Sequence, residues 1–146
     1  MNKNIRGLVA YYKRKFNTDN PFDIADNLGV LYQFCNIDFE GCYLLLKKHG
    51  YIFLNNSLED SELRMVMAHE LGHAVMHRNN NCYFIRDKTL LLNSKTEKEA
   101  NIFAAELLIP DEILLENWDY TSTELSRLLG YEQKFIELRL ETFRHI

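Results

Sequence analysis

The sequence predicts an α+β domain in which helices flank a small antiparallel sheet. Three observations predict this fold class: apolar residues at helical spacing near the start, three segments rich in β-branched and aromatic residues between about residues 30 and 56, and helical spacing again from about residue 57 onward. Helices, a short run of strands and further helices are the order typical of α+β domains. The length of 146 residues predicts a single domain, 1–146, whose last part, about 111–146, is a helical subregion.

Two helices are predicted before the sheet. In the first, apolar residues recur every three or four positions and form one apolar face: Ile5, Leu8, Val9, Tyr12 and Phe16. The segment NPFDIADNLGV predicts a second, short helix, because Asn20 can cap it, Pro21 suits its first position and Gly29 suits its end. Three candidate strands follow, VLYQFC, GCYLLLKK and YIFLNN, and the last two are joined around KHG as a hairpin.

Helical patterning returns after the strands. Residues from about 57 to 77 predict a helix whose start carries acidic side chains, which the helix dipole favours there. Residues 78–94 predict a loop with room for a short strand, and Pro110 ends the next helix, which begins near Lys95. Three shorter helices are predicted near 111–117, 122–129 and 132–145.

Charge and cysteine content exclude several classes of function. The net charge is −4 and the chain has no long run of Lys or Arg, so it lacks the basic surface of a nucleic-acid-binding protein. The three cysteines form no C-x-x-C pair, which argues against a disulfide framework and fits a reducing cytoplasm. The N-terminus lacks the apolar core of a signal peptide, and no stretch approaches the roughly 18 apolar residues of a membrane span. We therefore predict a cytoplasmic protein that does not enter a membrane.

The ending STELSRLLGYEQKFIELRL predicts a helix, a turn at Gly130 and a second helix, which is a helix-turn-helix-like outline. Residues 119–146 contain five acidic and four basic side chains, whereas a DNA-reading module should be clearly basic. Direct DNA binding is therefore not expected. The helical pair is predicted to be structural or to hold a protein substrate.

The segment MAHELGHAVMH carries the candidate chemistry. Side chains four residues apart lie on one face of a helix, so His69 and His73 can bind one zinc ion together. Glu70 is rotated about 100° from His69, which lets it reach a water beside the metal rather than the metal itself. Apolar residues surround the motif on nearly all sides, so the helix should be buried, where two histidines need a partner. H-E-x-x-H on a helix is the zinc motif of metalloproteases, and its glutamate is the general base.

A third metal ligand must come from elsewhere, because a catalytic zinc usually has three protein ligands and one open position. His77 continues the row of histidines, but on a straight helix it lies a further turn, about 6 Å, along the axis. Its expected role is interaction with the end of the helix. Downstream, in TEKEANIFAAELLIP, Glu99 and Glu106 are seven residues apart and hence on one face, while Glu97 points elsewhere. A glutamate from this second buried helix would complete a His-His-Glu set.

AHELGHAVMH followed by EANIFAAELLIP resembles the ImmA/IrrE family of bacterial and phage-encoded metallopeptidases. NPFDIADNLGV, YIFLNN and the ending STELSRLLGYEQKFIELRL are similar to that family too, so the resemblance extends from about Pro21 to Leu140. It implies a zincin-like metallopeptidase fold. It also implies that the third ligand is the glutamate of EAN, which is Glu99, with Glu106 as a nearby supporting or structural carboxylate.

The resemblance further implies a zinc-dependent endopeptidase of the gluzincin type. Its catalytic base would be Glu70, and its Zn²⁺ ligands would be His69, His73 and Glu99. Relatives cleave a helix-turn-helix transcriptional repressor, often encoded beside them, and so release a prophage, a mobile element or a stress response. The short chain favours the phage or mobile-element type.

Three points stay open at the level of sequence. The residue that assists the oxyanion is not readable, with Tyr83 and His49 as candidates, and an exposed strand, GCYLLLKK or its neighbour, could align the substrate by extending the sheet. The alternative function is a non-catalytic or toxin-like zinc-binding regulator that binds a repressor without cleaving it. The presence of Glu70 argues against that alternative.

Overall fold

A computed structural model of the protein describes residues 4–84 and 94–144. Within these ranges the chain forms seven helices: α1 (Ile5–Phe16), α2 (Pro21–Leu28), α3 (Asp60–Met76), α4 (Lys95–Leu108), α5 (Asp111–Glu116), α6 (Ser122–Leu129) and α7 (Gln133–Arg144). The same ranges contain four strands: β1 (Leu31–Cys35), β2 (Gly41–Leu46), β3 (His49–Asn55) and β4 (Cys82–Phe84). The predicted α+β class is confirmed, and every predicted helix is present.

Local side-chain chemistry sets the helix ends. The side chain of Asn20 accepts a hydrogen bond from the backbone N–H of Phe22 at 2.9 Å, and Gly29 ends α2 with a φ of 75°. Thr121 and Glu124 form a reciprocal capping box at the start of α6. No helix in the described part of the chain is long and apolar enough to cross a membrane.

The sheet is mixed, which corrects the prediction of an antiparallel sheet. Its strand order is β1-β3-β2-β4; β2 is antiparallel to both of its neighbours, but β1 runs parallel to β3. The reason is that β2, which follows β1 in the chain, lies on the far side of β3. Hydrophobic alternation within a strand carries no information about that order.

The hairpin between β2 and β3 is confirmed, with a different turn. Lys47 and Lys48 have φ values of 50° and 70°, as a two-residue turn between antiparallel strands requires, so His49 already belongs to β3. At Gly41–Tyr43, β2 is covered by β4 and is not an edge. Residues 44–46 of β2 have no strand partner on that side among the described residues, so the described edges of the sheet are β1, β4 and this end of β2.

Helix α3 lies between the sheet and α4, and burial on both sides explains its apolar sequence. A Cβ atom placed on Gly72 would lie 3.2 Å from Cβ of Phe103 and 3.3 Å from Cα of Ala100. Since a side chain at that position would be crowded against α4, the glycine allows the two helices to approach closely. This contact determines which face of α4 meets the motif helix.

The helical subregion is attached to the rest of the fold through a buried arginine. Arg139 of α7 is 1% exposed, and it donates hydrogen bonds to the carbonyl of Ile109 at 2.7 Å and to Asp111 at 2.5 Å. Glu106 of α4 lies 3.5 Å from both Arg139 and Arg6. Its carboxylate therefore compensates buried positive charge, in keeping with the structural role considered for it.

Candidate metal centre

Three side chains converge where α3 meets α4. The Nε2 atoms of His69 and His73 lie 3.2 Å apart, and Oε2 of Glu97 lies 3.0 Å from the first and 2.9 Å from the second. Both histidines are fully buried and Glu97 is 9% exposed. The histidines share a face of α3 because they are four residues apart, and Glu97 reaches them from the first turn of α4.

This triangle fits a zinc ion. Tetrahedral ligand atoms about 2.0–2.1 Å from zinc lie roughly 3.3 Å apart, close to the separations seen here. Nδ1 of His69 lies 2.7 Å from Oδ1 of Asn101, so it carries a proton, and a neutral His69 presents a lone pair at Nε2. That lone pair faces the Glu97 oxygen. Two acceptors at this distance require a cation between them, either a proton or a metal.

Glu70 lies beside the triangle without belonging to it. Its Oε1 is 3.9 Å from Nε2 of His69, and the side chain is completely buried. Among the side chains that the structure describes, its two oxygens are the buried polar atoms without a hydrogen-bond partner. Burial raises the pKa of Glu70 well above its usual value, and the nearby charge of Glu97 raises it further. A carboxylate with a raised pKa is a stronger base, so the ionised form of Glu70 is suited to take a proton from a water molecule.

The structure does not bring Glu99 to the histidine pair. Its Oε1 lies 2.8 Å from Nε2 of His77 instead, and the expectation that Glu97 points away from the motif is wrong. Ala100 packs against Gly72, and Glu97 lies three residues before Ala100, on the same face of α4. Glu99 is displaced from that face and reaches the end of the motif helix.

His77 does not continue the helical row as expected on a straight helix. Helix α3 ends at Met76, and His77 caps it with φ −128° and ψ 47°, while its backbone N–H still bonds to the carbonyl of His73 at 2.7 Å. Its Nδ1 lies 3.0 Å from Nδ1 of His73. His77 therefore contacts His73 on the side of the ring opposite Nε2, the atom that faces His69 and Glu97.

The two candidates for oxyanion assistance gain no support. His49 is exposed at the first residue of β3 and lines a separate cavity with Tyr12 and Arg78. The side chain of Tyr83 lies outside what the structure describes.

A known peptidase family, described as the IrrE N-terminal-like domain, matches residues 17–141. The chain belongs to this family. It is 32% identical over 139 residues to uncharacterized immunity region protein 2 of Bacillus phage phi105, an alignment that covers 92% of this chain and 88% of that protein. It is 35% identical over 122 residues to the metallopeptidase ImmA of Bacillus subtilis strain 168, covering 81% of this chain and 70% of ImmA. The resemblance noted in the sequence is confirmed.

Membership in the IrrE-like peptidase family and the convergent donors identify a metallopeptidase. The protonation states at the centre suit metal binding. Burial lowers the pKa of His73, which favours the neutral ring that a metal needs. Burial by itself would raise the pKa of Glu97, but the interactions with the adjacent rings of His69 and His73 outweigh it and lower that pKa to about 2. At neutral pH the carboxylate is therefore ionised.

Cys82 of β4 lies close enough to be considered as a fourth ligand. Its Sγ is within 4.8 Å of candidate ligand atoms of His73 and Glu97. Burial, followed by the charges of Glu97 and Glu70, raises the pKa of the thiol to about 12. The thiol donates a hydrogen bond to the carbonyl oxygen of Asn80 at 3.4 Å, and this hydrogen bond would have to break before the sulfur could bind a metal as the thiolate.

Sequence reasoning missed Glu97 and Asn101. Both were visible in one pattern: they are four residues apart in EKEAN and therefore share a helical face. Glu97 also lies three residues after Ser94, which caps α4, and this is the usual position of a glutamate in a capping box. The pattern therefore suggests a capping role for Glu97 and gives no sign of its contact with the histidines.

Proposed function

We propose that this chain is a zinc-dependent endopeptidase with a zincin-like fold that cleaves a helix-turn-helix transcriptional repressor of a prophage or mobile element. The observation that carries the proposal is the convergence of three ligand atoms beside the buried, unpartnered carboxyl of Glu70. The ligand set is of the gluzincin type. In the proposal it consists of His69, His73 and Glu97, with Glu97 in the place first considered for Glu99.

The chain's own residues account for the proton transfers of peptide hydrolysis. Zinc, when bound, supplies Lewis acidity that makes water more acidic and polarises the carbonyl of the scissile peptide. Glu70 removes a proton from the attacking water as the new C–O bond forms, and then donates that proton to the leaving nitrogen as the C–N bond breaks. The raised pKa of Glu70 suits both halves of this cycle.

The choice of substrate rests on the relatives and on the charge of one surface. One relative is named for a phage immunity region and another is ImmA. The helical subregion carries a groove of about 500 Å³ whose lining is part apolar and part polar; its apolar and aromatic members include Leu114, Leu115, Trp118, Tyr120, Leu125 and Phe143. Residues 111–144 contain eight acidic and four basic side chains. The helical subregion is therefore net acidic, and a net acidic partner complements a repressor, whose DNA-binding face is basic. A DNA-bound repressor places the reaction in the cytoplasm.

The test of this function compares a specific with a general substrate. The purified, zinc-loaded protein should cut the helix-turn-helix repressor of its own genetic element at a defined bond and leave casein largely intact. Cleavage products are identified by mass spectrometry. Stable binding of the repressor without cleavage would favour the non-catalytic alternative, and rapid casein digestion beside an intact repressor would contradict the proposed selectivity.

Replacing Trp118 with alanine should slow repressor cleavage without affecting the metal centre. The indole is 82% exposed in the groove, so its removal costs the fold little, and an exposed aromatic anchor in an interface typically contributes about 2 kcal/mol or more to binding. We therefore expect a rise in KM of roughly 30-fold or more with unchanged zinc content. The matched control is Tyr11→Ala, which removes an aromatic ring that is 46% exposed on α1. Equal KM values for both variants would rule out the groove as the docking surface.

A further inference from the structure

A buried chain of hydrogen-bonding groups extends from the motif on the side away from Glu97. His73 Nδ1 is followed by His77 Nδ1 at 3.0 Å, and His77 Nε2 by Glu99 Oε1 at 2.8 Å. His77 and Glu99 are each 7% exposed. Neither is in the proposed ligand set, and their burial has a cost that the proposed reaction by itself does not explain.

The donors and acceptors in this series of hydrogen bonds can be assigned from Glu99 to His73. The carboxylate of Glu99 can only accept, so Nε2 of a neutral His77 carries the proton. Nδ1 of His77 then has a lone pair and accepts a hydrogen bond from Nδ1–H of His73. With its proton on Nδ1, His73 presents a lone pair at Nε2, the atom that faces His69 and Glu97. The order of groups therefore selects the tautomer of His73 that can bind a metal.

Helix α4 provides a hydrogen-bond acceptor for the Nδ1–H of each histidine, directly for His69 and through His77 for His73. Asn101 holds Nδ1–H of His69 directly, at 2.7 Å. His73 lies one turn further along α3, and the corresponding acceptor, Glu99, reaches it through His77. The departure of His77 from helical geometry at the end of α3 accompanies this contact.

We propose that His77 and Glu99 are positioning residues, which act together to fix the ring and the tautomer of His73 for metal binding. The proposal rests on the metal centre proposed above. Orienting partners of metal-bound histidines typically contribute about 10- to 100-fold to metal affinity. Because Glu99 acts on His73 only through His77, the effects of removing the two should not add.

The first test measures zinc affinity by competition with a chromophoric chelator. His77→Phe keeps a ring but leaves the buried Nδ1–H of His73 unpaired, so zinc affinity should fall by about 10- to 100-fold. Glu99→Gln keeps a hydrogen-bond acceptor and should lower zinc affinity less than His77→Phe does. The double variant should match His77→Phe to within about twofold. Glu106→Gln is the control, because Glu106 is equally buried on α4 but pairs with Arg6 and Arg139; its zinc affinity should equal that of the wild type.

The second test needs no variant and is independent of any effect on folding. Long-range ¹H–¹⁵N spectra of the zinc-loaded wild type should show His77 with its proton on Nε2 and His73 with its proton on Nδ1. A His77 ring protonated on Nδ1, or a His77→Phe variant with wild-type zinc affinity, would overturn the proposal. A failure of the proposed ligand set can be distinguished from a failure of this positioning role. If the ligand set is wrong, Glu97→Ala will also retain zinc.

Discussion

Replacing Glu97 with alanine is expected to leave the protein without stoichiometric zinc, and His73→Ala should have the same effect. Each change removes one corner of the triangle and leaves two protein ligands, which hold zinc poorly. The loss of zinc affinity should exceed the roughly 10- to 100-fold that is typical of removing an orienting partner. Elemental analysis after dialysis against a chelator measures the content, and a zinc-dependent rise in melting temperature, present in the wild type, should be absent.

The informative comparison is between two glutamates on one helix. Glu99→Ala should lower zinc affinity less than Glu97→Ala, because the structure places Glu99 against His77 and only Glu97 against both Nε2 atoms. Circular dichroism spectra of the two variants should match that of the metal-free wild type. The opposite ranking of affinities would return the third position to Glu99.

Replacing Glu70 with glutamine should separate metal binding from catalysis. The amide preserves the size of the side chain but cannot take up the proton of the attacking water, so kcat should fall by about 10²- to 10⁴-fold while zinc content stays at the wild-type level. Cleavage of the repressor and elemental analysis on the same sample measure both quantities. A variant with wild-type kcat would show that another group is the base.

The same substitution should change how the stability of the metal-free protein depends on pH. Glu70 has a raised pKa in the folded state, so the unfolded chain releases this proton at lower pH than the folded protein. The contribution of Glu70 to the free energy of unfolding is therefore fully present below the usual glutamate pKa of 4.5. It is lost as pH rises toward and through the raised pKa of the folded state. Glu97, whose pKa is lowered, acts in the opposite direction in both proteins and cancels in the comparison. Melting curves at about pH 5 and about pH 8 should show that Glu70→Gln gains stability relative to the wild type at the higher pH. If the difference in melting temperature between the two proteins is the same at both pH values, Glu70 lies in a solvated environment.

Local sequence was sufficient to predict the helices, because the ends of the helices are set by nearby residues. Asn20, Gly29 and Gly130 fix caps through side-chain acceptors or positive φ, which need no information from distant parts of the chain. The order of strands was not accessible in this way. The parallel pairing of β1 with β3 depends on which side of β3 the chain places β2, and this is a choice between whole-sheet packings.

The sequence by itself determined the face of α3 that carries His69 and His73, and the offset of Glu70 from it, because 3.6 residues per turn fix these angles on any helix. Tertiary structure decided which glutamate of α4 meets that face. Glu97 and Glu99 lie on the same helix, and the choice depends on how α4 is rotated about its axis. The close contact of Gly72 with Ala100 and Phe103 sets that rotation. Periodicity gives the relative directions of side chains on one helix, whereas their direction relative to a second helix exists only after the two have packed.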